Sequence, residues 1–244
     1  MVEYYPDQNR IFLVRLFEKI KNEENLSADE KIHQIISQYI NKVESISFDT
    51  PLSYPKCVTC KLKCPGFDNC DQTEIEWLRN HYKELNKKRK PKKTFTPYTE
   101  RCVEAYLGHK LEEKFEIHHA LGSNLAPLTA RAIFLKRRLK AKLLEVMPQL
   151  TVWRLGQKLR VAASHLKYHK HAIGGDESRK VFLRELSERM SVFIYQQDLK
   201  SMVENNHAFE AFMCAFTGYL SFQGQTEKRP AQFPKAEAWV EFPL

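Results

Sequence analysis

The first seventeen residues restrict the possible folds of this chain most strongly. Aromatic and β-branched residues at 2–5 and 10–17 flank the turn-forming Pro6-Asp7-Gln8-Asn9. This arrangement predicts two strands joined by a tight turn. A hairpin must bury one of its faces against another layer, so the elements that follow decide the class of fold.

A helix and a third strand are predicted next. Ser27 and Glu30 stand three residues apart, as a helix cap and its box partner do. Apolar residues then recur at helical spacing and predict a helix with one buried face: Ile32, Ile35, Ile36, Tyr39, Ile40 and Val43. Residues 43–48 are β-prone and stop at Asp49-Thr50-Pro51, which is typical of a strand that ends at a turn.

The rest of the chain continues to mix helices and strands, without an internal repeat. Together with the hairpin, this order predicts an α/β layered fold. Helices are predicted at 74–85, 99–107, 128–139, 181–190 (with 191–195 as its extension) and 208–222, and strands at 143–147, ended by Pro148, and at 238–243.

The charge of the chain points to an anionic partner. The 244 residues carry a net charge of +9, which favours nucleic acid, although many basic proteins bind none. The longest apolar stretch, 211–216, is far shorter than the roughly 18 residues of a membrane span, and no secretory signal opens the chain. We therefore expect a cytoplasmic protein that binds nucleic acid and not a membrane.

Two basic regions could hold phosphates. Residues 87–93 carry six cationic side chains in seven positions, a run that could equally be a solvated linker. The predicted helix 128–139 is also strongly basic. The candidate phosphate contacts are Lys87, Lys88, Arg89, Lys90, Lys92, Lys93, Arg101, Arg131, Lys136, Arg137 and Arg138.

Four of the six cysteines lie within fourteen residues. The spacing Cys57-x2-Cys60-x3-Cys64-x5-Cys70 offers four thiolates, enough for a structural Zn²⁺ or for an iron–sulfur cluster, and reduced free thiols are the third alternative. Nearby lysines would offset the charge of a four-thiolate site. Cys102 and Cys214 lie on predicted helices, and we expect them to be buried thiols.

Three carboxylates and a histidine lie where chemistry could occur. Asp49 directly follows a strand, where ligands often bind in α/β folds, although it could simply form a turn. Glu145 interrupts an apolar strand, where it would need a partner, a metal or solvent. His207 and Glu210 share one helix face, although capping would also explain polar residues there. Together these side chains suggest a centre for Mg²⁺ or Mn²⁺.

Five short segments resemble, in order, the motifs of a family of predicted ribonuclease H-like nucleases, the domain of unknown function 429. The family motifs are a hydrophobic-Asp-x-Pro-Leu string, an Arg-x-x-acid helix start, a Glu-x-Tyr-Pro strand, an Asp-Ala-x-x-x-Ala helix and a terminal Glu-Gly-Trp segment. The corresponding segments here are Phe48-Asp49-Thr50-Pro51-Leu52, Arg101-Cys102-Val103-Glu104, Glu145-Val146-Met147-Pro148, Glu210-Ala211 through Ala215, and Glu237-Ala238-Trp239. Met147 stands in place of the tyrosine, and Glu210 in place of the Asp.

The resemblance implies a ribonuclease H-like mixed sheet flanked by helices, with an acidic two-metal site. Asp49 would be the carboxylate of the fourth strand, Glu210 the acid of the late helix, and His207 the residue one turn before it. The family's first strand, which carries a further Asp, has no counterpart. We therefore expect an N-terminally truncated form of the fold, and a longer working protein. A chain that truly began at Met1 should fold weakly and lack metal-dependent cleavage.

These observations predict residues 1–55 as the first part of the ribonuclease H-like domain, 56–98 as a cysteine-rich and basic insertion, and 99–244 as the remainder. The predicted function is metal-dependent hydrolysis of DNA or RNA, with catalytic residues Asp49, Glu145, His207 and Glu210. The alternative is a catalytically inactive nucleic-acid-binding protein with a structural metal clip. An ATP-dependent enzyme is disfavoured because no glycine-rich phosphate loop is present.

Overall fold

A computed structural model describes residues 1–87, 90–111, 113, 117, 119–122 and 124–244. The described chain is a mixed α/β protein, as predicted. Its elements are β1 (Val2–Tyr5), β2 (Arg10–Leu13), α1 (Ala28–Tyr39), β3 (Ile46–Phe48), α2 (Lys56–Thr59), α3 (Thr73–Lys87), α4 (Cys102–Lys110), α5 (Leu125–Arg138), β4 (Leu143–Val146), α6 (Pro148–Lys158), α7 (Ala163–Tyr168), α8 (Gly175–Met190), β5 (Val192–Phe193), α9 (Gln196–Glu204), α10 (Asn206–Phe222) and β6 (Val240–Glu241).

The chain divides into two compact units. The first contains Met1–Asp49, Arg138–Glu227 and Glu241–Leu244, and the second contains Thr50–Arg137 and Lys228–Val240. The cysteine-rich segment 56–98 lies in the second unit. That unit also takes in 99–137 and 228–240, which the sequence had assigned to the ribonuclease H-like remainder.

The predicted hairpin belongs to a three-stranded sheet of order β1-β2-β5. β1 and β2 are antiparallel, with Val2 opposite Leu13, and β5 lies parallel to β2. The predicted extension of the 181–190 helix through 191–195 is wrong. Ser191 adopts the left-handed conformation (φ 53°), which ends α8, so that Val192 and Phe193 are free to form β5.

The second sheet, of order β3-β4-β6, determines the positions of Asp49 and Glu145. β3 and β4 run parallel, and Phe48 is in register with Glu145. Because Asp49 is the residue after Phe48, it lies at the carboxyl end of β3. This is the edge of a parallel sheet at which polar ligands are commonly bound.

Helix α10 forms the centre of the first unit. Large apolar side chains along it are fully buried, among them Phe209, Phe212 and Phe216. A Cβ at Gly218 would lie only 2.8 Å from Oγ of Ser47, so the absence of a side chain there allows α10 to approach β3 closely. Glu210, Cys214 and Gly218 follow one another at intervals of four, and therefore share the helix face that meets the sheet.

The helix α1 begins as predicted but is less buried than predicted. Ser27 accepts a hydrogen bond from the backbone N–H of Glu30 at 3.2 Å, which confirms the cap. The Glu30 carboxylate instead accepts two hydrogen bonds from Arg138, at 2.7 and 2.9 Å. No residue of α1 is fully buried, so its apolar face is only half covered.

Three helices of the first unit, α6, α7 and α9, have no counterpart in the sequence prediction. Pro148 ends the strand pattern as expected, but it also occupies the first turn of α6. A proline suits that position because its fixed φ is helical and its missing N–H would be unpaired there anyway.

Within the described residues, no helix is both long and apolar enough to cross a membrane.

Candidate carboxylate site

Asp49 and Glu210 are electrostatic neighbours in the first unit. Asp49 is contributed by the end of β3, and Glu210, only 5% exposed, by the first turns of α10. Burial and then the negative charge of Glu210 raise the pKa of Asp49 from 3.8 to about 7, while the Lys170 ammonium acts in the opposite direction. A poorly solvated carboxyl group with a second carboxylate near it resists ionisation, and such groups are common at functional sites.

Three polar neighbours surround the Glu210 carboxylate. The Lys170 ammonium forms an ion pair with Oε1. The Asn206 amide donates a hydrogen bond to Oε2 at 2.9 Å. His207 Nδ1 lies 4.0 Å from the same oxygen, and its side chain is 93% exposed. Glu210 is thus held by the partly exposed Lys170 and Asn206, and His207 is the most exposed of the three neighbours.

The capping role expected for this region belongs to Asn205. Its side-chain oxygen accepts hydrogen bonds from the backbone N–H groups of His207 and Ala208, at 3.0 and 3.4 Å. Asn206, the next residue, donates its amide hydrogen bond to Glu210 instead of capping the helix. Its Oδ1 atom is buried and has no hydrogen-bond partner among the described residues. An uncompensated amide oxygen beside a carboxylate is a ready ligand for a hard cation.

His169 is a buried neighbour that sequence reasoning missed. Its side chain is completely buried, and Nδ1 lies 2.8 Å from the Leu166 carbonyl oxygen, which fixes Nδ1–H as the donor. Nε2 is then an acceptor without a hydrogen-bond partner in the described part of the chain. Burial lowers the pKa of His169, whereas the charge of Glu210 tends to raise it. The signal in the sequence was the run Tyr168-His169-Lys170-His171.

Glu145 does not join the pair. Its neighbours in β4, Leu144 and Val146, pack in a buried cluster with Cys214 of α10. Because side chains alternate along a strand, Glu145 points to the opposite face of the sheet from α10. The structure therefore corrects the expectation that Glu145 completes one centre with Asp49 and Glu210.

The donor set around Glu210 fits a small divalent cation that also binds substrate. Within the described residues there is no group of three His, Cys, Asp or Glu side chains placed to hold a metal. Mg²⁺ needs no such cage, because it commonly takes one or two carboxylates and fills its remaining positions with water and phosphate oxygens. Asp49, Glu210 and Oδ1 of Asn206 offer that number of hard oxygen ligands.

The second unit contains a different group of buried charges. Arg101 is 1% exposed, and its Nε donates to Oε1 of Glu104 at 2.7 Å. Glu104 also accepts hydrogen bonds from the backbone N–H groups of Arg101 and Ala120, at 3.0 and 2.7 Å. Glu237 accepts from the backbone N–H groups of Cys102 and Val103, at 3.0 and 2.7 Å, and so caps α4. Every carboxylate oxygen of this group has a donor.

The four clustered cysteines are also in the second unit, as free thiols. Cys57, Cys60 and Cys70 are half-buried and Cys64 is exposed. Burial, and then the charges of Cys70, Cys64 and Cys60, raise the pKa of Cys57, so the four thiols are electrostatic neighbours. Cys102 and Cys214 are buried, as predicted.

The motifs behind the family resemblance divide between the two units. Asp49, Glu145 and Glu210 lie in the first, and Glu104 and Glu237 in the second. No family model matches the chain, and searches of the curated proteins and of the solved structures found no match. The relationship to the domain of unknown function 429 stays a prediction.

The predicted phosphate contacts have unequal surroundings. Arg101 is buried and bound to Glu104, so it has no surface for a phosphate. Arg138 is engaged by Glu30, and Lys87 pairs with Glu84 at 2.6 Å. The remaining described candidates are exposed (Lys90, Lys92, Lys93, Lys136 and Arg137) or half-buried (Arg131), while Lys88 and Arg89 lie outside the described residues.

Proposed function

We propose that the chain is a divalent-metal-dependent nuclease with a ribonuclease H-like site, in which Asp49 and Glu210 bind the metal. The observation that carries the proposal is the electrostatic interaction of these two carboxylates, which lie on different elements: the charge of Glu210 adds to burial in raising the pKa of Asp49. A cation bound between them would relieve that repulsion. The basic surface supports nucleic acid as the substrate.

Each neighbouring side chain has a role in this proposal. Asp49, Glu210 and Oδ1 of Asn206 would hold Mg²⁺ or Mn²⁺, which when bound supplies an activated water and stabilises the leaving oxygen. Asn206 fixes the orientation of Glu210 through its amide hydrogen bond. Lys170 neutralises Glu210 when no metal is bound, and its ammonium can hold a phosphate oxygen. His207, exposed beside Glu210, can exchange a proton with solvent.

The ion pair between Lys170 and Glu210 favours a second candidate function, an inactive nucleic-acid-binding protein. A lysine ammonium that permanently satisfies the carboxylate would take the place of a metal. Asp49→Asn distinguishes the two candidates. For the nuclease, we expect this change to lower Mn²⁺-dependent cleavage of labelled DNA and RNA by at least about 100-fold, as is typical of an essential catalytic group. Binding measured with a chelator should barely change.

Asp7→Asn is the matched control, because it removes the same charge from an exposed position. It should leave cleavage unchanged. Asp49→Asn should not unfold the protein, since it removes one of two mutually repelling charges, and a thermal melt of each variant verifies this. Cleavage that survives both Asp49→Asn and Glu210→Gln would refute the nuclease proposal.

We also propose that Cys57, Cys60, Cys64 and Cys70 hold a structural Zn²⁺ or an iron–sulfur cluster. No three of these thiols are placed to hold a metal in the described structure, so binding would have to draw them together and thereby order their segment. The support is their spacing together with their electrostatic proximity around Cys57. Metal analysis of wild-type and Cys60→Ser protein tests it. We expect bound zinc or iron in the wild type and loss of most of it in the variant, and equal metal contents in both would contradict the proposal.

A further inference from the structure

A concave pocket of about 440 Å³ lies within the second unit. Its walls come from residues 52–54, from α2, from the first turn of α3, from the second half of α5 and from residues 236–237. Its volume is within the range of small-molecule sites in proteins. The side chains that matter for recognition are Ser53, Tyr54, Lys56, Lys136, Arg137 and Glu237.

Cationic groups outnumber acidic groups in this pocket. Lys56, Lys136 and Arg137 face two carboxylates, those of Glu74 and Glu237. Both oxygens of Glu237 already accept hydrogen bonds from backbone N–H groups of α4. Within the described part of the chain, the Glu74 carboxylate pairs with Lys56 alone, at 3.9 Å. The acids therefore compensate the cations incompletely, and positive charge in a concave surface attracts anions.

Two donors remain available to a ligand. Arg137 is exposed and makes no hydrogen bond or ion pair with any described residue, so its whole guanidinium fork can bind. Ser53 Oγ accepts hydrogen bonds from Arg101 Nη1 and from the backbone N–H of Ala238, at 3.3 and 3.2 Å. With both lone pairs used, the hydroxyl proton of Ser53 is left to donate.

We propose that this pocket binds the phosphate group of a nucleotide, with Lys56, Lys136 and Arg137 as the cationic contacts and Ser53 as a hydroxyl donor. A phosphate monoester carries up to two charges and three terminal oxygens, which suits three cations and a neutral donor better than a carboxylate does. The nucleotide is either a free mononucleotide or the phosphorylated end of a strand. Neither Asp49 nor Glu210 lines the pocket, so the proposal does not rest on the nuclease function.

The test is a binding titration in the presence of a chelator, with adenosine monophosphate, and with one short oligonucleotide bearing either a 5′-phosphate or a 5′-hydroxyl. We expect Arg137→Gln and Lys56→Gln each to weaken binding by about 10-fold or more, the usual effect of losing a charge-assisted hydrogen bond. Lys83→Gln is the matched control, since Lys83 is exposed in the same unit and does not line the pocket.

Each outcome decides a point. If adenosine monophosphate binds and neither oligonucleotide does, the ligand is a free mononucleotide. If the 5′-phosphorylated oligonucleotide binds more tightly than the 5′-hydroxyl oligonucleotide, the ligand is the phosphorylated end of a strand. Absence of binding by all three probes overturns the proposal. An equal loss of affinity in Lys83→Gln and Arg137→Gln also overturns it, because the attraction would then come from the general basic surface.

Discussion

Each unit contains a pair of carboxylates of interest, and the two pairs lie in opposite surroundings. In the second unit, Glu104 and Glu237 are enclosed by backbone N–H groups and by the Arg101 guanidinium. In the first, the charge of Glu210 adds to burial in raising the pKa of Asp49, and Lys170 is the cation paired with Glu210. Burial alone does not explain the difference, because burial also raises the pKa of Glu237 to about 7.

The pairs differ in the charges that act on a carboxylate in addition to burial. Burial opposes ionisation of Glu104, yet His119 and Arg101 lower its pKa overall. For Asp49, the charge of Glu210 adds to the effect of burial. Buried charges that are paired with opposite charges, as Glu104 is with Arg101, belong to the structural framework of a fold. Two neighbouring carboxylates are instead a place where a cation can bind. We infer a structural role for Glu104 and Glu237, and a binding role for Asp49 and Glu210.

The largest expected effect is the loss of stability on breaking the compensated group. Arg101→Met leaves Glu104 as a buried charge without its main partner, and we expect the free energy of unfolding to fall by about 3–5 kcal/mol. Denaturant unfolding measures this change. Arg138→Met, which breaks the more exposed pair with Glu30, is the control and should have a much smaller effect. If Arg101→Met lowered the free energy of unfolding as little as Arg138→Met does, the Arg101–Glu104 pair would not have the structural role that we infer for it.

The next largest expected effect is a gain of stability, in Asp49→Asn. A carboxyl group with a raised pKa holds its proton more tightly when folded, so ionisation of Asp49 destabilises the folded chain as the pH rises from about 4 towards 7. In a chelator at pH 8, Asp49→Asn should therefore be more stable than the wild type, by about 2 kcal/mol after allowance for partial exposure. The gain should shrink as the pH is lowered. A loss of stability at pH 8 would contradict the raised pKa of Asp49.

The smallest effect concerns Lys170. Because its ammonium lowers the pKa of Asp49, Lys170→Met should raise that pKa further. Carboxyl NMR of the labelled protein follows the titration of Asp49 directly. Lys180→Met, an exposed charge change on α8, should leave the titration in place. An unchanged Asp49 titration in Lys170→Met would show that the lysine does not act on the pair.

Local sequence signals predicted much of the fold but not its long-range pairing. The cap at Ser27, the strand before Asp49 and the apolar helix after Asn205 depend on neighbouring residues, and the structure has all three. The division into units and the pairing of β5 with β2 depend on contacts between distant residues. Ser191 illustrates the limit, since a single left-handed residue turned a predicted helix extension into a strand.

The candidate site was predictable to the same extent. Asp49 and Glu210 could be selected because each follows a recognisable local pattern, at a strand end and on a helix face. Glu145 was selected for interrupting an apolar strand, and only the packing of Leu144 and Val146 against Cys214 reveals that it faces away. Lys170 and His169 lie between α7 and α8, in a run of histidines and a lysine that does not indicate which residue they contact. Only the tertiary structure could connect them with Glu210.

Titration of the protein with Mn²⁺, followed by calorimetry, tests most directly whether Asp49 and Glu210 form a metal site. Mn²⁺ prefers oxygen ligands, so the clustered thiols should contribute little to the signal. We predict saturable binding in the wild type and in Asp7→Asn, and its loss in Asp49→Asn and Glu210→Gln. Equal Mn²⁺ binding by all four proteins, or none in the wild type, would contradict the account.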